Sequence, residues 1–83
     1  MIIVYTKTAL KQMRRVTPSI QAKIKAKIEQ YAEAPLSLAN QIKKLKGIGN
    51  LLRLRVGDYR IIFTEDGVVM TVVKVGHRRE IYN

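Results

Sequence analysis

Three short runs in the second half of the chain, LLRLRV, YRIIFT and VVMTVVKV, repeat with a period of two and are rich in β-branched and aromatic residues. Gly57-Asp58 separates the first run from the second, and Asp66-Gly67 separates the second from the third. Such dipeptides are typical of two-residue hairpin loops, because glycine tolerates the positive φ angles that these turns need. The pattern therefore predicts an antiparallel three-stranded meander, and it constrains the fold more than any other feature.

The first half of the chain has a helical period instead. MIIVYT is apolar and β-branched, so it predicts a short strand, and Thr6 can cap a helix that follows. Thr17-Pro18 marks the end of one helix and the start of another, since proline suits the first turn of a helix. The residues expected to be buried are Leu10, Met13 and Val16 in the first helix and Ile20, Ile24, Ile28 and Tyr31 in the second.

Pro35 ends the second helix, and LSLANQIKKLKGIGN is predicted to be a connection. Its apolar residues are expected to lie under the core: Leu36, Leu38, Ile42 and Leu45. The element order β-α-α-β-β-β predicts an α+β fold, in which an N-terminal strand and a two-helix hairpin pack on an antiparallel β-sheet. A chain of 83 residues is expected to form one domain over 1–83.

Lysine and arginine outnumber aspartate and glutamate by 16 to 6, which gives a net charge of +10. This excess destabilises the compact chain by self-repulsion and indicates a polyanionic partner, with nucleic acid favoured over a membrane. With no cysteine and one histidine, a disulfide framework, a thiolate zinc site and a histidine cluster are excluded. No apolar run approaches the ~20 residues of a membrane span and no signal peptide is evident, so a cytoplasmic location is expected.

A two-residue loop at Gly57-Asp58 would place Arg55 directly opposite Arg60. Strand alternation would then gather Arg53, Arg55 and Arg60 on the sheet face that points away from the helices. Like charges on opposed residues destabilise a sheet, so fold stability alone does not explain this pair. Either the arginines occupy an ordinary solvated face, or they bind an anion. Their clustering favours the anion.

The same register can be carried through Asp66-Gly67. It would pair Arg60 with Val73 and would put Val73, Val75 and His77 on the basic face, with Gly76 as a possible site of a bulge. Arginine forks fit phosphate oxygens and can stabilise charge that develops on a phosphate. No carboxylate cluster for magnesium is evident, because Asp58, Glu65 and Asp66 belong to turns and Glu80 stands alone. We therefore expect neither a metal nor a cofactor.

LLRLRVGDYRIIF followed by VVKVGHRREIY is similar to the RelE/ParE superfamily of bacterial toxin–antitoxin systems, and the likeness extends to TKTALKQM and KKLKG. The resemblance implies a toxin of a type II system, a metal-independent endoribonuclease that cuts mRNA in the ribosomal A site. It implies as partners the mRNA, ribosomal RNA and a cognate acidic antitoxin that wraps around the toxin. Oligomers are expected only with the antitoxin.

The resemblance also implies roles for particular residues. The basic pair of the family falls on Arg53 and Arg55, its phosphate-binding arginine on Arg60, its second essential arginine on Arg78 and its C-terminal tyrosine on Tyr82. RelE itself has lysines at the positions of Arg53 and Arg55, and arginine is a much poorer proton acceptor. Proton transfer is therefore expected from the C-terminal segment of this chain.

Two residues of that segment are candidates for the proton acceptor, His77 and Tyr82. His77 is favoured narrowly, because Tyr82 would need its pKa of about 10 lowered by several units. Tyr82 could instead stack on a base. The basic connection KKLKG is expected to add phosphate contacts through Lys43, Lys44 and Lys46.

Two other functions remain open at this point. The ParE branch of the superfamily inhibits DNA gyrase without cutting nucleic acid, and a passive RNA-binding or ribosome-binding module would also be basic. The presence of Arg60, His77, Arg78 and Tyr82 together favours the nuclease, because a gyrase inhibitor does not need this set.

Overall fold

A computed structural model describes residues 1–47 and 49–81 of the chain. The strands are β1 (Ile2–Tyr5), β2 (Ile42–Lys44), β3 (Leu52–Val56), β4 (Tyr59–Glu65) and β5 (Val69–His77). The helices are α1 (Lys7–Arg14), α2 (Pro18–Glu33) and α3 (Arg78–Ile81), and a 3₁₀ segment covers Pro35–Gln41. This arrangement confirms the predicted α+β class.

The strands of the described residues form one five-stranded sheet in the order β1-β5-β4-β3-β2. The pairs β2–β3, β3–β4 and β4–β5 are antiparallel, whereas β1 and β5 are parallel. Thr6 ends β1 and begins α1 as predicted: its hydroxyl accepts from the Ala9 N–H at 3.0 Å and donates to the Val73 carbonyl at 2.9 Å. The same side chain thus caps the helix and fixes it to β5.

The core lies between the two long helices and one face of the sheet. Helix α2 contributes Ile24, Ile28 and Tyr31 to this core, as predicted. These side chains pack with the fully buried strand residues Leu54, Ile61 and Phe63. In α1 the buried residues are Ala9 and Met13, with Val16 just after the helix, whereas Leu10 is 44% exposed. The prediction for Leu10 was wrong, because the face of α1 that meets the sheet is centred one residue earlier.

The β3–β4 hairpin has the predicted register. Val56 pairs with Tyr59 and Arg55 with Arg60, so Gly57 and Asp58 form the loop. Gly57 has a φ of 58°, the left-handed conformation that this loop requires. The alternation of residues across both strands is therefore fixed, and with it the face on which each arginine lies.

The predicted β4–β5 register was wrong. Glu65 pairs with Met70 rather than Val68, because the Asp66 carboxylate accepts from the N–H groups of Val68 and Val69 and widens the turn. These hydrogen bonds lower the pKa of Asp66 from its usual value. A bulge also shifts the pairing between Ile62 and Phe63.

As a result of this shift, Arg60 pairs with Gly76 instead of Val73. Val75 therefore lies in the core, where it is 1% exposed. The prediction that Val75 lies on the basic face was wrong.

The connection after α2 is more ordered than predicted. Leu38 is buried as expected, but Leu36 is 90% exposed, so that prediction was wrong. Ile42–Lys44 forms the edge strand β2, which pairs with β3 in register Ile42↔Leu54. The strand forms because β3 offers an unpaired edge, and this is not visible in the local sequence.

The C-terminal helix α3 packs back on the end of the sheet. The Arg78 N–H donates to the Asp58 carbonyl at 2.7 Å, which ties the start of α3 to the β3–β4 loop. A Cβ at Gly76 would lie 3.2 Å from the Ile81 side chain, so glycine permits this close approach. The sequence predicted a bulge at Gly76, but the bulge lies between Ile62 and Phe63. No helix in the described part of the chain is both long enough and apolar enough to cross a membrane.

Candidate functional site

Arginine side chains meet on the sheet face that points away from α1 and α2. Arg53 and Arg55 flank the buried Leu54 on β3, and Arg55 lies directly opposite Arg60 of β4. Arg78, at the start of α3, is close enough for its charge to act on Arg60. We call Arg53, Arg55, Arg60 and Arg78 the arginine cluster. The predicted grouping of the first three is confirmed, while their roles remain predictions.

The guanidinium of Arg60 is held by the turn beside it. Its Nη1 donates to the Gly57 carbonyl at 2.8 Å and to the Tyr59 carbonyl at 3.0 Å. Its Nε is buried and finds no acceptor within residues 1–47 and 49–81. Burial lowers the pKa of Arg60, and the positive charges of the other three arginines lower it further. A bound anion would satisfy Nε and offset this repulsion.

A surface cleft of about 520 Å³ opens beside the cluster. It is lined by Arg55, Arg60 and Arg78 together with Lys27, Gln41, Val56, Gly57 and Asp58. The cleft therefore has four cationic side chains and one carboxylate, a balance that suits a phosphate group. Among the residues that the structure describes, no three side chains of the types His, Asp or Glu gather as metal ligands.

The three lysines of the KKLKG segment go to different places. Lys43 pairs with Arg53 and therefore shares the face of the arginine cluster. Lys44 pairs with Leu52, which packs against the core, so Lys44 lies on the other face at the sheet edge. Lys46 lies in the loop after β2 and lines a second cavity. The structure thus brings Lys43 to the arginines and separates Lys44 from them.

His77 does not lie where the sequence predicts. It pairs with Tyr59 and stands on the helix side of the sheet, with the two ring centroids 5.6 Å apart and the rings at 77°. Its Nδ1 accepts from the Arg79 N–H at 3.3 Å. The expected place on the basic face was wrong, because the bulge between Ile62 and Phe63 moves the rest of β5 by one residue and turns His77 to the other face. Tyr82 lies outside the described residues, so its role stays a prediction.

Sequence reasoning missed Lys74. It is exposed, pairs with Ile62 and shares the face of Arg60. A signal was available: a straight register through Asp66-Gly67 would place Lys74 under the helices, and lysine is almost never fully buried without a partner. That conflict indicates an irregular β4–β5 pairing.

Comparison with known proteins identifies the family. Residues 3–82 match the model of the ParE toxin of the type II toxin–antitoxin system parDE. The chain belongs to the RelE/ParE toxin superfamily. Toxin RelE3 of Methanocaldococcus jannaschii is 36% identical over 85 residues, which cover 100% of this chain and 97% of RelE3.

Solved structures of the RelE/ParE superfamily match the fold as well. The toxin of the RelB–RelE antitoxin–toxin complex from Methanococcus jannaschii superposes with a TM-score of 0.77 at 34% identity, over 96% of this chain and 95% of that chain. The intact RelBE toxin–antitoxin complex of E. coli matches with a TM-score of 0.73 at 25% identity, over 92% and 94% of the two chains. The predicted resemblance to RelE-like toxins is confirmed.

Proposed function

We propose that this toxin is a ribosome-dependent mRNA endoribonuclease that holds the scissile phosphate on the arginine cluster. The observation that carries the proposal is the opposed pair Arg55 and Arg60, with Arg53 and Arg78 beside it. Four guanidinium groups on one small surface form a site for a highly charged anion, because the arginine fork matches phosphate oxygens. An RNA backbone supplies such an anion.

The proposed reaction is an internal transfer. The ribose 2′-OH loses its proton and attacks the adjacent phosphorus, the bond from phosphorus to the 5′-oxygen breaks, and that oxygen takes up a proton. The products are a 2′,3′-cyclic phosphate and a 5′-hydroxyl. Arg60 and Arg78 would hold the non-bridging oxygens, and Arg53 and Arg55 would stabilise the charge that grows on them. Lys43 would hold the backbone of the RNA next to the cleavage site.

The proton acceptor is proposed from the C-terminal segment, where His77 and Tyr82 are the candidates. His77 stands on the helix side of the sheet, and its Nδ1 already accepts the Arg79 N–H. This geometry supports Tyr82 over His77. Nearby positive charge lowers the pKa of a tyrosine, so the basic character of the chain is compatible with Tyr82 as the proton acceptor.

The partners follow from the charge and from the relatives. A chain with net charge +10 is suited to mRNA and ribosomal RNA, and its small surface would rely on the ribosomal A site to position the message. The matched RelB–RelE structure from Methanococcus jannaschii and the matched intact RelBE structure from E. coli are complexes of toxin with antitoxin. We therefore infer that a cognate acidic antitoxin covers the arginine cluster and offsets its self-repulsion.

A second candidate function is inhibition of DNA gyrase. The family model that matches residues 3–82 is that of the ParE toxin, and this observation favours the second candidate. The two functions differ in what they leave intact: a gyrase inhibitor leaves mRNA whole, whereas a nuclease leaves supercoiling unaffected.

One experiment separates these functions. Purified toxin is added to a translation extract and, in parallel, to a gyrase supercoiling assay. We expect cleavage of ribosome-bound mRNA, much slower cleavage of free RNA and normal supercoiling. Arg60→Ala should cut roughly 10²–10³ times more slowly, the usual loss for one donor to a developing oxyanion, whereas Arg14→Ala on α1 should cut at the normal rate. Blocked supercoiling with intact mRNA would overturn the proposal.

A further inference from the structure

A second cavity, of about 480 Å³, lies on the same side of the sheet as the arginine cluster. Its walls come from the loop after β2, from β4 and β5, from α3 and from Gln12 of α1. The walls include the apolar residues Ile62, Val73 and Ile81 and the charged residues Lys46, Lys74 and Glu80. We call this space the Ile62 cavity. Lys46 is the one predicted site residue that lines it, and the proposed reaction does not use it.

The floor of this cavity is unusual for an outer sheet face. Ile62 is only 5% exposed although its neighbours Arg53 and Lys74, in the same row across the strands, are charged. An apolar floor with two lysines at the walls suits a ligand that has both a flat apolar body and a negative charge. A nucleotide has this chemistry, since its base is apolar on both faces and its phosphate is an anion.

The Ile62 cavity is continuous with the arginine cluster. One row of residues crosses four strands: Lys43 on β2, Arg53 on β3, Ile62 on β4 and Lys74 on β5. This row spans three strand spacings, roughly 14 Å. The next row towards the β3–β4 loop contains Arg55, Arg60 and Gly76. An RNA strand with one phosphate on Arg60 would therefore have its neighbouring nucleotide beside Ile62.

We propose that the Ile62 cavity receives one nucleobase of the bound RNA, and that Lys74 and Lys46 hold the adjacent phosphate. The inference rests on the proposed function only in taking RNA as the ligand. The volume lies within the range of small-ligand pockets, about 300–1,000 Å³. The Glu80 carboxylate also lines the wall; because it only accepts hydrogen bonds, it suits the amino edge of a base and not a phosphate.

An acidic protein could use the same apolar floor, because its charge would also match the two lysines. The connection of the cavity to the proposed phosphate site favours RNA as the occupant. The two lysines reach the cavity from segments far apart in sequence, and Lys74 belongs to the row that leads through Ile62 to Arg53 of the arginine cluster. Cations clustered on one face of a domain are the electrostatic pattern of a nucleic-acid surface.

The first experiment tests the phosphate contact. Binding of an uncleavable 2′-O-methyl oligonucleotide is measured by fluorescence anisotropy at several salt concentrations, without ribosomes. Lys74→Gln should reduce the slope of log K against log[salt] by about 0.7, the value for one phosphate of a single strand. Lys25→Gln, which makes the same charge change on the exposed surface of α2, should leave the slope unchanged. An unchanged slope in Lys74→Gln overturns the proposal.

The second experiment tests the base. Methyl NMR spectra are recorded with cytidine 5′-monophosphate and with ribose 5-phosphate, which lacks the base. The methyl signals of Ile62, Val73 and Ile81 should shift with the nucleotide only, whereas Ile28 in the helix-side core should not respond. Equal shifts with both ligands, or no shift at Ile62, would overturn the proposal.

The outcomes separate this inference from the proposed function. Neither experiment requires cleavage or a ribosome, so a protein that binds the nucleotide as expected but leaves mRNA intact supports the cavity and refutes the nuclease. A protein that cuts mRNA normally in the Lys74→Gln variant, with an unchanged salt slope, refutes the cavity alone. If the Ile62 methyl responds to the cognate antitoxin and not to the nucleotide, the cavity is a protein-docking site and the proposal is wrong.

Discussion

Arg55 of β3 and Arg60 of β4 are direct cross-strand partners, so two guanidinium groups project from opposed positions on one face of the sheet. Leu54 and Ile61, the next pair, are both fully buried. A slip of one residue would separate the arginines but would turn these core side chains out to solvent, so the register is fixed. The core thus holds together two charges that repel each other, and a bound phosphate would relieve the repulsion.

Replacing Arg55 by threonine should stabilise the free toxin. Removal of the like-charge contact is expected to raise the free energy of unfolding by roughly 0.2–1 kcal/mol, and the gain should shrink near 1 M salt, where charges are screened within about 3 Å. Urea unfolding at low and high salt measures both effects. Lys74→Thr is the control, because Lys74 lies on the same face but pairs with Ile62. An equal gain in both variants would mean that net charge, and not the opposed pair, causes the strain.

The proton acceptor can be identified by two variants. Tyr82→Phe should lower the single-turnover rate of mRNA cleavage by roughly 10²–10⁴, the usual contribution of a general base. His77→Gln should have a smaller effect, because His77 lies on the helix side of the sheet and its Nδ1 accepts from Arg79. Rapid-quench measurements on ribosomes loaded with message give both rates. The reverse order of effects would return the role to His77.

The Tyr31 hydroxyl donates to the Glu65 carboxylate at 3.0 Å, and its ring meets Phe63 edge-on. Burial raises the pKa of Tyr31 to about 12, and the hydrogen bond and charge of Glu65 act in the same direction. Tyr31→Phe should lower the free energy of unfolding by about 1.5–3 kcal/mol near neutral pH, since a hydrogen bond to a charged group is lost.

The sign of the pH effect follows from the raised pKa of Tyr31. The folded state holds this proton more tightly than the unfolded state, so the contribution is complete below about pH 10 and is lost as the pH rises through about 12. The difference between wild type and Tyr31→Phe should therefore shrink over this window in urea titrations at fixed pH. Glu65→Gln keeps an acceptor oxygen and should retain part of the difference. A difference that stays constant to pH 12 would contradict the assignment.

Gly76 allows α3 to lie on the sheet. In Gly76→Ala the new methyl group would lie 3.2 Å from side-chain carbons of Ile81, so α3 should move away and its amides, Arg79 to Ile81, should exchange faster with deuterium. The free energy of global unfolding should change little, because α3 contributes no residue to the buried core. The double variant Gly76→Ala/Ile81→Ala should restore slow exchange. Fast exchange in both would point to the backbone at Gly76 instead of the contact.

The functional site could be predicted in part. The sequence predicts the grouping of Arg53, Arg55 and Arg60 on one face. These residues lie on two strands joined by a two-residue loop, where the alternation of side chains alone assigns the face. Arg78 was implied by the family resemblance, and the structure brings it to Arg60 through the hydrogen bond to the Asp58 carbonyl. Lys74 was missed and His77 was assigned to the wrong face, and both errors come from the β4–β5 pairing.

The sequence by itself determined β1, the first two helices, the three strands of the meander, the β3–β4 register and the charge of the outer face. These depend on near neighbours: the period of apolar residues, the Gly57-Asp58 loop and the net charge of +10. Only the tertiary structure decided the bulge between Ile62 and Phe63, the recruitment of β2 and the side on which His77 lies. A bulge shifts every later residue of a strand, and its position depends on which side chains fill the core under α1 and α2. That choice is made by packing between segments distant in sequence, so no local pattern contains it.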